Sequence, residues 1–134
     1  MSQYIFNKEL WKIGTKIEDE TLPILNKYFG CDFKRNENNI FDILDFKDDD
    51  KKIIVEVKGR RINSYQFKDT IITASKITEG LKKIDEGFKV FFVFVFIDKV
   101  MEVELKDQDF KVKITGTNSI LHYMIPVSDL TELK

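Results

Sequence analysis

Residues 40–58 read IFDILDFKDDDKKIIVEVK, two apolar runs, Ile40 to Phe46 and Lys52 to Lys58, joined by Lys47-Asp48-Asp49-Asp50-Lys51. Apolar runs bounded by turn-forming residues predict the two strands of a hairpin. A turn centred on Asp49 places Asp42 directly across from Glu56. Alternate residues of a strand share a face, so Ile40, Asp42, Leu44, Ile54, Glu56 and Lys58 then point one way and Asp45 the other, into a structural or edge role. Ile43, Ile53, Val55 and Val57 fill the opposite face. The second strand is therefore apolar on both sides, the mark of a strand buried within a sheet. Charges at the end of such a strand point to a site rather than to a wet surface. Two carboxylates about 5 Å apart on neighbouring strands repel each other unless something compensates. A hard cation does so, because Mg²⁺ is held by one or two carboxylates, waters and substrate phosphate oxygens. Lys58 lies about 7 Å beyond Glu56 on the same face. There it can orient a nucleophile or stabilise charge developing on a phosphate.

Outward from the hairpin, residues 7–29 carry Leu10, Ile13, Ile17, Leu22, Leu25 and Phe29 at helical spacing, with Asn7 suited to open the helix and Gly30 to end it. Gly14 and Pro23 predict a break or kink within it. Cys31 to Arg35 reads as a short strand. After Gly59-Arg60-Arg61 the period changes, and Ala74, Ile77, Leu81 and Ile84 define one helical face ending near Gly87. Val90 to Ile97 (VFFVFVFI) is apolar on both faces, as a central strand requires. Met101 to Lys106 and Phe110 to Ile114 alternate apolar with charged residues, giving strands with one wet face. Ser128 suits the cap of a short closing helix. The expected order, α-β-β-β-α-β followed by additional C-terminal strands, is an α/β domain with a mixed central sheet flanked by helices, spanning 1–134 as a single unit.

Composition restricts the function classes. With one cysteine, Cys31, the 134 residues cannot form an internal disulfide, which suits a reducing compartment. No leader-like N-terminus or membrane-length apolar run is present, so an intracellular site is expected (cytoplasmic, nuclear or in a viral replication compartment), with no membrane partner. A net charge of −1 supplies no global basic field for a nucleic-acid partner, so any cationic surface must be local. A single histidine, His122, excludes catalysis by a histidine pair and suits a satisfied polar position. The aspartates 48–50 lack the spaced ligands of a calcium loop and read as a solvated turn.

An isolated Asp, a hairpin, then Glu-x-Lys in an apolar strand resembles the PD-(D/E)XK, or restriction-endonuclease-like, nuclease superfamily. Here the match is Asp42 followed by Ile54-Val55-Glu56-Val57-Lys58, with Phe41 where the family has its nominal Pro. Upstream, Gly14-Thr15-Lys16-Ile17-Glu18 is similar to the Gly-x-x-x-Glu opening the first helix of archaeal Holliday-junction resolvases in that superfamily. The resemblance covers roughly residues 10 to 90. It implies a restriction-endonuclease-like core and an Mg²⁺- or Mn²⁺-dependent endonuclease. Asp42, Glu56 and Glu18 would be its metal ligands and Lys58 its catalytic lysine. Glu20 competes with Glu18 for the helix position, and Gln66 stands where some members carry an extra polar active-site residue.

Arg60 and Arg61, with Lys76 and Lys83 on one stripe of the following helix, are candidate phosphate contacts. The expected activity is hydrolysis of DNA phosphodiester bonds at a structure such as a junction, flap or end, since no element suited to base readout is evident. Two alternatives stand beside it: an RNA endonuclease of the same superfamily, and a non-catalytic nucleic-acid-binding or assembly protein retaining the fold. A two-fold substrate such as a four-way junction predicts a C2 homodimer.

Overall fold

A computed structural model of the chain describes residues 8–35, 44–106, 111–115 and 120–133. Helix α1 (Lys8–Phe29) leads into β1 (Lys34–Arg35), β2 (Phe46–Asp48), β3 (Ile53–Gly59) and β4 (Asp69–Thr73). Helix α2 (Ala74–Asp85) follows, then β5 (Lys89–Val95), β6 (Val100–Glu104), β7 (Lys111–Thr115), β8 (Ile120–Pro126), a 3₁₀ turn at Val127–Asp129 and β9 (Thr131–Glu132). The architecture is α/β. Its main sheet has six strands in the order β1-β2-β3-β5-β6-β9, mixed because β3 and β5 run parallel while their other neighbours are antiparallel. Strands β4, β8 and β7 form a separate three-stranded sheet.

The apolar runs that bracket the centre of the sequence pair with each other. In β3 and β5, Val55 and Val57 face one way with Val93, against Leu25, Ile17 and Phe29 of α1. Ile54, Val90, Phe92 and Phe94 face the other way, against Ile77 and Ile84 of α2 and Ile72 and Ile125 of the small sheet. Both faces of the central strands are thus covered, which is what their lack of alternation requires. Among the described residues, no helix is long and apolar enough to cross a membrane.

Three local expectations change. Helix α1 is one continuous element with Pro23 inside it, so the break expected near Gly14 or Pro23 does not divide it. Pro23 lies on an exposed face, so the Asp19 carbonyl that loses its helical donor can bond water instead. Helix α2 is rotated from the anticipated stripe, leaving Leu81 42% exposed and turning Gly80 inward. A Cβ at Gly80 would lie 2.5 Å from the Leu105 Cδ2 methyl, so a larger residue there would require the Leu105 side chain to shift. Residues 69–73, to which the spacing assigned no element, form β4, and 120–126 pair with it as β8. Their apolar alternation is too weak to stand out from a loop.

The hairpin register is the fourth change and bears on function. The pairs are Phe46↔Val55, Lys47↔Ile54 and Asp48↔Ile53, so the turn spans residues 49–52 and is not centred on Asp49. Asp48 sets this register. It is buried, its Oδ1 accepts the N–H groups of Asp50 and Lys51 at 3.0 Å, and its Oδ2 accepts that of Asp32 at 2.8 Å. An aspartate that gathers the donors of the following residues closes the turn behind itself, and Lys52 completes it at φ 58°. Asp48 is therefore a structural cap, where a solvated turn residue was expected.

Candidate functional site

Counting on from Phe46↔Val55, the residue opposite Glu56 is Asp45, where the symmetric turn had put Asp42. An odd shift of register exchanges the faces of a strand, so the aspartate assigned a structural role moves to the site face. Asp42 itself falls outside the described residues. The regular ladder ends at Phe46, and Asp45 Oδ2 accepts the N–H of Val57 at 2.8 Å.

Glu56 lies mid-strand in β3 and is 1% exposed. Its Oε2 is 3.2 Å from the ammonium of Lys58 and 3.2 Å from that of Lys76 at the start of α2. Its Oε1 is buried without a hydrogen-bond partner among the described residues. The neighbouring carboxylate explains this. Burial first, and the charge of Glu56 second, push the Asp45 carboxyl up to about 7, against the pull of the Val57 N–H and of Lys76. Two ionised carboxylates can only accept hydrogen bonds, so neither satisfies the other. Something electropositive completes the pair. A proton held by Asp45 does so below about pH 7, and above it a hard cation would do so by accepting oxygen ligands from both.

Of the two candidate helix carboxylates, Glu18 is the one near Asp45 and Lys58. It is held at 2.6 Å by Arg35 Nη1, with Asp19 on Nη2 at 2.7 Å, so β1 fastens α1 beside the site. Burial and then the Asp45 charge raise the Glu18 carboxyl above its usual range, opposed by Arg35 and Lys58. Glu18 thus shares an electrostatic field with both Asp45 and Lys58. Glu20 does not: it is exposed and pairs with Lys16 one turn back at 3.8 Å. Among the described residues, no three histidine, cysteine or carboxylate side chains converge as a ready-made metal cage. The donor set is a facing pair, Asp45 and Glu56, with Glu18 engaged by Arg35. That chemistry fits a cation completed by water and by a ligand's own oxygens.

Lys58 opens onto a groove of about 690 Å³ between the main sheet and the small one. Arg60, Phe67, Lys68, Thr70 and His122 also line it. The expected basic patch is not gathered in one place. Arg60 is turned inward, giving Nη2 to the Ile71 carbonyl at 2.6 Å, Nε to Thr70 at 3.3 Å and Nη1 to the Gly59 carbonyl at 3.1 Å. Its guanidinium also lies 5.6 Å from the Phe94 ring centre, and burial lowers its pKa. It shapes the groove wall more than it offers free donors. Lys76 belongs to the carboxylate pair. Lys83, two helical turns on, pairs with Glu86 at 3.7 Å, and Arg61 is exposed. These four residues therefore do not form the one cationic surface that a two-fold nucleic-acid substrate would need.

Gln66 borders a different hollow, beyond Phe67. His122 is satisfied through Nδ1 and the Ile120 carbonyl at 2.9 Å, yet it faces the groove, because β8 pairs His122 with Thr73. Sequence reasoning missed Asp45, Arg35, Lys68 and Phe67. Only Asp45 had a readable signal: the preference of aspartate for the first position of a turn favours closing the hairpin on Asp48. No protein-family model, curated protein or solved structure matches the chain.

Proposed function

We propose that this chain is a divalent-cation-dependent phosphodiesterase of restriction-endonuclease-like architecture that hydrolyses nucleic acid, DNA in the first instance. The observation that carries the reading is the buried, unpartnered Oε1 of Glu56 beside Asp45, next to Lys58 at the mouth of a cationic groove. A buried acceptor left without a donor is costly and calls for an occupant. In this reading Asp45 and Glu56 would hold Mg²⁺ or Mn²⁺, with Glu18, now held by Arg35, as the nearby third carboxylate. The bound cation would shield phosphate charge and acidify water.

The chain's own groups have separate tasks. Lys76, 16% exposed, offsets the negative charge of the carboxylate pair from the α2 side. Lys58, 32% exposed, is the mobile partner: it leaves Glu56 when a phosphate enters and stabilises the charge developing there. Phe94 and Thr70 hold Arg60, so the groove keeps its shape as the substrate arrives.

A non-catalytic binding protein is the rival, favoured by one observation: two lysines already neutralise Glu56. The deciding experiment is cleavage of labelled single-stranded, duplex, flap and junction substrates, in DNA and RNA, with Mg²⁺, Mn²⁺ or chelator. Metal-dependent cleavage lost in Glu56→Gln and Asp45→Asn supports the enzyme. No cleavage of any substrate, and no heat of Mn²⁺ binding, overturns it.

A further inference from the structure

Residues 60–68 cross from β3 to β4 and carry the two most exposed aromatic rings among the described residues, Tyr65 at 79% and Phe67 at 59%. The segment that presents them is firmly held. Arg60 N–H bonds the Val95 carbonyl at 2.9 Å, Ile97 N–H bonds that of Ile62 at 3.0 Å, and Val127 N–H bonds that of Lys68 at 2.8 Å. In the middle, Ser64 gives both its backbone N–H and its hydroxyl to the carboxylate of Asp98, each at 2.7 Å. Gln66 N–H closes a turn on the Asn63 carbonyl at 3.1 Å. A loop pinned along its length presents its rings already ordered, so a ligand meets them without the usual entropy cost of arranging them.

The rings have a definite setting. Phe67 lines the groove that begins at Lys58. Tyr65 and Phe67 together border a second hollow of about 570 Å³ on the far side of the loop. Phe67 thus stands between the two hollows, with Lys68 and Asp69 bordering both, and Tyr65 flanks it on the side of the second. The groove walls carry Lys58, Arg60 and Lys68 against Asp69, with Glu56 paired to Lys58 behind them; Arg60 is bonded into the wall, so Lys58 and Lys68 are the cations that face a ligand, in a chain of net charge −1. Cations along a groove with flat apolar rings beside them match one class of polyanion, a nucleic-acid strand whose bases are not paired. Phosphates follow the lysines, and base faces stack on aromatic rings. In a continuous duplex those faces are covered by neighbouring pairs and cannot reach Tyr65 or Phe67.

We infer that the 62–68 loop is a stacking platform for unpaired nucleotides. It makes single strands, or the unpaired arm of a flap or overhang, the preferred substrate over continuous duplex. The inference rests on the nuclease reading for its chemistry, but it is tested by binding alone.

The test uses the full chain in chelator, with fluorescence anisotropy of a labelled oligothymidylate and of a duplex of equal length. The wild-type protein is expected to prefer the single strand by 10-fold or more. Phe67→Ala and Tyr65→Ala should each weaken single-strand binding roughly 5- to 100-fold, the range of one lost base-stacking contact. Tyr65→Phe should bind as wild type, and duplex binding should not move. Both rings are on the surface, so the melting temperatures of the variants should match wild type and confirm that folding is intact. Equal binding of oligothymidylate by the alanine variants and wild type overturns the inference. So does equal affinity for strand and duplex, or a loss of self-association in the variants by light scattering with oligonucleotide binding unchanged, which would make a second copy the occupant. Ring-dependent strand binding without any metal-dependent cleavage supports the platform and sinks only the nuclease. Metal-dependent cleavage of duplex and flap at equal rates, unaffected by Phe67→Ala, sinks only the platform.

Discussion

Asp48 and Asp45 stand three residues apart at the two ends of β2, and their surroundings drive them in opposite directions. Asp48 receives three backbone N–H groups, and those bonds hold its carboxyl below its ordinary value. Asp45 receives one, from Val57, and burial beside Glu56 raises it to about 7. The same side chain is a finished structural element in one place and an unfinished one in the other. Donor supply decides the state of Asp48, whereas burial and a neighbouring charge decide that of Asp45.

The largest effect that can break this comparison is on activity. Glu56→Gln should abolish metal-dependent cleavage and the heat of Mn²⁺ binding, while Asp48→Asn, which keeps one acceptor oxygen for the turn, should preserve both. Cleavage by Glu56→Gln at the wild-type rate would return Glu56 to a structural role. Lys58→Ala comes next, with turnover reduced about 10²-fold and Mn²⁺ affinity nearly unchanged, the scale of one lost charge-stabilising group. Single-turnover kinetics beside calorimetry separates the two quantities.

The stability of the metal-free protein against pH sharpens the contrast further. Asp45 is raised in the folded state from an ordinary 3.8 to about 7, so the folded protein binds its proton more tightly than the unfolded chain does. Its contribution is fully present below about pH 4 and is lost as pH rises through about 7, with a slope of at most about 1.4 kcal/mol per pH unit. Asp48 acts with the opposite sign, stabilising above its unfolded value and failing in acid. Asp45→Asn should therefore flatten the decline between pH 4 and 7 in chemical denaturation and leave the acid limb intact. A decline of wild-type steepness in Asp45→Asn would show that another group is responsible. The smallest effect is on melting temperature at pH 8. There Asp45→Asn keeps the acceptor for Val57 and removes a like charge, so the variant should melt no lower than wild type. Saturating Mn²⁺ should raise the wild-type midpoint and leave that of the variant unchanged.

The parts of this picture legible in advance are those where one periodicity overwhelms every other. Ile53 to Val57 and Val90 to Val95 are apolar on both faces, so burial between two layers was the one arrangement open to them. Gly30 and Gly87, at φ 64° and 100°, end their helices as their position in the pattern requires. Charges at Glu56 and Lys58 within such a strand already marked a candidate site. The facing aspartate was not legible, because three consecutive aspartates allow several turns that differ by only a few hydrogen bonds. Choosing among them requires the N–H of Asp32, sixteen residues away, to be counted. Strand β4 was hidden for a related reason: it is short, and its partner β8 lies about fifty residues away.

By itself, then, the sequence determined the layered α/β architecture, the pair of buried central strands, and the placement of a glutamate and a lysine on one face of β3. These follow from local spacing, which does not depend on what lies across the sheet. The tertiary structure alone decided that Asp45 faces Glu56, that Lys76 joins them from α2, that Arg35 claims Glu18, and that Lys68, Phe67 and His122 share a groove with Lys58. Each of these depends on a register or a crossing between elements far apart in the chain. Register is fixed by the sum of many weak pairings rather than by any residue's own preference.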